Sequence, residues 1–190
     1  MLRGMRKLLP LVCLVVLWPA GASWAQLSAP NAAGVSMGHL HYFVKDVEAN
    51  KTFWMALGGQ PSTLGTTVVL KFPGTMVLLS QGPSSGGTQG SVVNHVAFRV
   101  KSLAKFVAEG VAGAKVQLLA QFPGVGSVTS PEGERIELFD DTSENVTFTL
   151  DEGQKDANAD RHNHPMSGAI LAHHIHLYLP KGSEAAAKAW

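Results

Sequence analysis

Apolar and polar positions along His39-Leu40-His41-Tyr42-Phe43-Val44 predict a strand that sends His39 and His41 to one face. Asp46 follows as a helix N-cap, because its carboxylate can accept the free N–H groups of a first turn. Val47, Asn50, Phe53, Trp54 and Leu57 then recur at helical spacing, and Gly58-Gly59 supplies a left-handed stop. Residues 66–72 and 75–80 read as two strands turning at Pro73-Gly74, and residues 82–90 (GPSSGGTQG) as a flexible loop.

The same order then returns. Residues 92–100 read as a strand, and Ser102 caps a short helix with Leu103, Phe106 and Val107 on one face. Gly110 and Gly113 end that helix, and residues 116–121, 126–130 and 135–140 are three further strand candidates. A unit of one strand, one helix and three strands thus appears twice, over 38–81 and 91–141, although the first copy shows only two clear later strands. Together they define a domain over 38–150. A hydrophilic linker, 151–170, follows. Residues 171–190 then read as the start of a truncated further module: His174-Ile175-His176-Leu177-Tyr178-Leu179 repeats the His-x-His pattern of His39 and His41. Trp190 follows His174 at nearly the distance at which Trp54 follows His39.

Composition narrows the chemistry. The 190 residues are 45% hydrophobic and only 15% charged, with a formal net charge of +1. That balance excludes the basic face of a nucleic-acid binder and the charge-rich make-up of a disordered chain. Arg3, Arg6 and Lys7 precede an apolar run over 8–17, with small residues around Ser23 and Ala25. This is the layout of a signal peptide over 1–25, too short in its apolar part for a comfortable membrane span. The expected product is exported, periplasmic or secreted, without a membrane anchor after cleavage, and opens with a flexible tail over 26–37. Losing three cations from a chain of +1 leaves −2. Cys13 leaves as well, so any metal must be held by histidine and carboxylate.

Strand alternation places His95 with Ala97 on one face, and Arg135, Glu137 and Phe139 on one face of the last strand. A histidine pair with one carboxylate can hold a divalent ion on one triangular face and leave positions open. His162, His164, His173, His174 and His176 are spare imidazoles that offer a second site, though histidine in a polar linker is ordinarily just solvated. No glycine-rich phosphate loop precedes a helix and no serine sits in a nucleophile elbow, which leaves nucleotide chemistry and serine hydrolysis unsupported.

His39 with Val44-Lys45-Asp46, Phe53-Trp54 before Leu57-Gly58, His95-Val96-Ala97-Phe98, and Ser130-Pro131-Glu132-Gly133 running into Ile136-Glu137-Leu138 resemble the vicinal oxygen chelate superfamily. That superfamily includes glyoxalase I, extradiol dioxygenases and the fosfomycin- and bleomycin-resistance proteins. The resemblance implies an α+β fold of paired β-α-β-β-β modules forming a curved mixed sheet around a metal cleft. It implies one divalent metal ion on His39, His95 and Glu137, iron or manganese before nickel or zinc. His41 could serve as a base behind the ligands only if the strand twists it toward the cleft. It further implies a small-molecule substrate chelated through two neighbouring oxygens, in dioxygenase-like or lyase- and isomerase-like chemistry, and leaves room for a homodimer. Two departures stand beside it. Leu78 falls where glyoxalase I carries a fourth ligand, and neither Tyr42 nor Tyr178 lies near the segment where the dioxygenases carry a tyrosine. The alternative is a non-catalytic small-molecule-binding module of the bleomycin-resistance type. If a third module were completed, His174 would be its equivalent of His39.

Overall fold

A computed structural model describes residues 27, 29–122, 124–140, 166 and 168–189. The signal peptide expected over 1–25, Cys13, residues 151–165 of the expected linker with His162 and His164, and Trp190 lie outside the described residues. The chain order is β1 (His39–Val44), α1 (Val47–Leu57), β2 (Gln60–Leu64), β3 (Thr67–Phe72), β4 (Thr75–Gln81), β5 (Val93–Val100), α2 (Leu103–Glu109), β6 (Gln117–Leu118), β7 (Val125–Thr129), β8 (Arg135–Asp140), β9 (Ile170–Leu177) and α3 (Glu184–Ala189). It is a mixed α+β fold.

Both anticipated caps form. The Asp46 carboxylate accepts from the Ala49 N–H at 2.9 Å, and the Ser102 hydroxyl accepts from the Lys105 N–H at 3.2 Å. Gly58 ends α1 at φ 121°, a conformation that side-chain-bearing residues avoid. The absent side chain also makes room for β9, because a Cβ there would stand 2.9 Å from Ile170 Cγ2.

The strands form two sheets, ordered β1-β4-β3-β2 and β6-β7-β8-β5-β9. In each, the first strand of the module runs parallel to the last, and the remaining neighbours are antiparallel. Setting β9 aside, the second sheet repeats the order of the first. The first module therefore does have its third later strand, β2. The second module's candidate over 116–121 shrinks to the two residues of β6. The segment read as the start of a further module is built into the second sheet, where β9 lies antiparallel to β5 on the edge that β8 leaves free.

Alternation decides what each strand buries. Val96, Phe98 and Val100 of β5 and Ile136 and Leu138 of β8 join Leu70, Val77 and Leu79 of the first sheet in one apolar core. Trp54 of α1 sits inside that core, with its ring centroid 5.7 Å from Tyr42, 6.0 Å from Phe72 and 6.3 Å from Phe98. The opposite face of the second sheet carries His95, Ala97, Glu137 and Phe139.

Candidate metal centre

His95 is buried, and its ring is fixed by what stands behind it. Asn94 Oδ1 accepts from Arg135 Nη1 at 3.2 Å and lies 2.7 Å from His95 Nδ1. Arginine can only donate, so this Asn94 atom is the carbonyl oxygen and His95 Nδ1 must be its second donor. The proton of the neutral ring is thereby held on Nδ1, and the lone pair of Nε2 faces outward across the sheet. Asn94 can do this because the pairing of β5 with β9 slips between Val93 and His95.

Three groups converge on that lone pair. His95 Nε2 lies 3.2 Å from His174 Nε2 and 3.5 Å from Glu137 Oε2, and His174 Nε2 lies 3.9 Å from Glu137 Oε1. Two ligands held about 2.1 Å from one ion stand roughly 3–4 Å apart, so these spacings suit a shared divalent cation. His176, opposite His95 in the ladder and more exposed, brings a third imidazole. The ligand atoms of His95, His174 and His176 all lie within 4.8 Å of one another.

A bulge aims β9 at the site. The register runs from Ala97 opposite His174 to Phe98 opposite Ala172, which leaves His173 as an extra residue. His173 packs edge-on against Phe139 with centroids 4.6 Å apart, and its Nδ1 lies 2.7 Å from Nδ1 of His174. The His174 ring is therefore supported on the side away from Glu137.

Electrostatics favour an electron-pair donor set. Burial first, then the neighbouring His174 and His176 rings and Arg135, lowers His95 from 6.5 to about 4, so the ring is neutral near pH 7. Burial raises Glu137 above its ordinary carboxyl range, while Arg135 and His176 pull the other way. A bound cation would oppose the burial penalty on Glu137 and favour its charged form.

Of the residues expected from sequence, the structure brings His95 and Glu137 together. His39 is exposed on β1 of the first sheet, its ring 6.2 Å from His41, and it is not part of the cluster. His41 lies beside it, with Nε2 2.9 Å from Ser80 Oγ and its ring stacked on Phe43 at 5.4 Å. His174 stands in the cluster instead, from the segment whose sequence repeats that of β1. The register also fixes the fate of the fourth ligand. Leu78 lies opposite His41 in the first sheet as Glu137 lies opposite Ala97 in the second, so the first module's equivalent carboxylate position is apolar.

Comparison with protein-family models finds no match, and comparison with curated proteins finds none either. Among solved structures, the chain is similar to TnmS3, an antibiotic binding protein from Streptomyces sp. CB03234, at 17% identity and a TM-score of 0.44, covering 58% of this chain and 98% of that one. It is similar to a putative glyoxalase family protein from Bacillus anthracis at 19% identity and a TM-score of 0.45, over 56% and 93% of the two chains. A lactoylglutathione lyase from Agrobacterium tumefaciens is similar at 17% identity and a TM-score of 0.39, over 56% and 92%.

Proposed function

We propose that this is an exported, metal-dependent enzyme of the vicinal oxygen chelate type, with one divalent ion on His95, His174 and Glu137. The observation that carries the reading is the convergence of two imidazole nitrogens and a carboxylate, with the His95 lone pair preset by Asn94 and Arg135. The paired module order and the sequence pattern around Glu137 support the superfamily. His174 takes the ligand role that the resemblance gives to His39. An ion in this site would act as a Lewis acid toward two neighbouring oxygens of a small substrate. The protein's part is to hold His95 in one tautomer and to hold His174 through His173. His176 stands at the exposed side, its ring nitrogen within 4.8 Å of those of His95 and His174.

Metal content tests this, measured by elemental analysis on protein purified without a His tag and beside four single variants. About one equivalent of iron, manganese, nickel or zinc is expected in the wild type and in His39→Ala. It should be lost in His95→Ala, His174→Ala and Glu137→Ala. Loss in His39→Ala with retention in His174→Ala would restore the ligand set that the resemblance implies. A folded wild type that takes up no metal on reconstitution would refute the enzyme reading. The apolar Leu78 then favours the second reading, a small-molecule-binding module without catalysis.

A further inference from the structure

On the other side of the second sheet, a cavity of about 300 Å³ lies between the two modules. Leu40 and Tyr42 of β1, Val93 and Val96 of β5 and Ile175 of β9 form an apolar wall. Glu134, from the turn before β8, lines the cavity as well and is only 8% exposed. Its carboxylate accepts from the Ser130 hydroxyl, and it forms no ion pair among the described residues. Buried carboxylates are hydrogen-bonded or paired with a cation, and here the Ser130 hydroxyl supplies a hydrogen bond while the cation's place is open to a ligand.

The roof is a built feature. Residues 85–88 close over the cavity, with the Thr88 N–H donating to the Gly133 carbonyl at 3.3 Å and Thr88 Oγ1 accepting from the Arg135 N–H at 3.2 Å. A Cβ on Gly87 would lie 1.8 Å from the Gly133 oxygen, so only glycine allows this approach. Beneath it, Tyr42 is stacked on Trp54 at 19° and kept rigid. Burial first, then the Glu134 charge, pushes the Tyr42 phenol above its ordinary range.

We propose that this cavity is a binding site for a small organic cation, a primary amine with an apolar body, whose ammonium group pairs with Glu134. Beside the apolar wall the cavity is also lined by His41, Ser85, Thr88 and Ser91, and a single carboxylate among them is a poor site for a hard cation, which demands several oxygens. It suits an alkyl- or arylammonium, whose charge meets Glu134 while its carbons meet Leu40, Val96 and Ile175. The Tyr42 face adds attraction for the cation. The site shares none of the groups that converge on His95 and stands whether or not that centre binds metal.

The test uses metal-free protein titrated with benzylammonium and, separately, with neutral benzyl alcohol, followed by backbone amide NMR shifts. Benzylammonium should shift Gly86, Gly87, Thr88 and Val93 and bind at least tenfold more tightly than the alcohol. Glu134→Gln, which can still accept from Ser130, should remove that preference. Val93→Phe, which fills the cavity and keeps the carboxylate, should abolish binding of both. His95→Ala should leave the titration unchanged, which separates this site from the metal centre. Equal affinity for amine and alcohol, an unaltered preference in Glu134→Gln, or shifts centred on His95 and Glu137 would each overturn the proposal.

Discussion

Acidification of the metal-free protein should expose the neutral burial of His95 as a loss of stability. An unfolded histidine titrates near 6.5, whereas this ring is lowered to about 4. Below 6.5 the unfolded chain takes up a proton that the folded chain refuses, so stability falls with falling pH and stops falling below about 4. The full gap corresponds to about 3 kcal/mol, of which ~2 kcal/mol is lost between pH 7.5 and pH 5. Glu137 has the opposite sign. Its raised value gives a contribution that is present in acid and lost as pH rises through its folded value. The assay is therefore a difference: urea unfolding of wild type and His95→Gln at pH 7.5, 6 and 5 with chelator present. Glu137 titrates in both proteins, and only the wild type carries the His95 proton deficit. The wild-type advantage should shrink by ~2 kcal/mol across that range. Parallel stability curves for the two proteins would refute the buried, neutral imidazole and with it the preset lone pair.

Three further outcomes are expected. Asn94→Ala frees the His95 tautomer and should weaken metal binding about ten- to a hundredfold in chelator competition, with the fold intact by circular dichroism. Glu132 joins the modules by accepting from the Lys45 N–H at 2.6 Å. Burial alone would raise its carboxyl, but hydrogen bonds from the Lys45 backbone, Ser84 and the Asp46 backbone lower it on balance. Glu132→Ala should cost no more than about 1 kcal/mol in urea unfolding at neutral pH, because solvent screens this accessible carboxylate, and the deficit should vanish as acid protonates the wild-type group. Trp54→Ala removes the ring shared by both halves of the core and should cost about 3–5 kcal/mol by the same measurement, with Trp54→Phe much milder.

Local signals in the chain mark the elements that bury a face. β1 and α1 are legible to the residue, because Asp46 and Gly58 cap a helix whose apolar spacing is clean. β2 is not, since Gln60-Pro61-Ser62-Thr63-Leu64 has a single half-buried residue and no apolar alternation. It exists only because β3 offers it an edge to pair with. β6 fails as a long strand for a related reason: past Leu118 the chain bonds to itself, the Phe122 N–H donating to the Leu119 carbonyl and the Val125 N–H to the Phe122 carbonyl. β9 was visible as a strand but not as a partner of β5, because the choice of edge is a long-range event with no local mark.

The same distinction explains the site. Alternation within a strand is local, so placing Glu137 with Arg135 and Phe139 on one face followed from sequence, and parallel pairing of β5 with β8 then brings Glu137 to His95. Which third ligand completes the set depends on which strand occupies the free edge of β5. His39 and His174 open the same sequence pattern, and either segment could have supplied an imidazole by composition. The edge goes to β9. The bulge at His173 then sets the angle, by breaking the alternation that would otherwise put His173 and His174 on opposite faces. Repetition in the sequence thus specifies a kind of strand, whereas the hydrogen-bonded edge decides which copy of it stands beside His95 and Glu137. In the variant set this predicts a sharp contrast between two histidines in matching sequence contexts: His174 essential for metal, His39 dispensable.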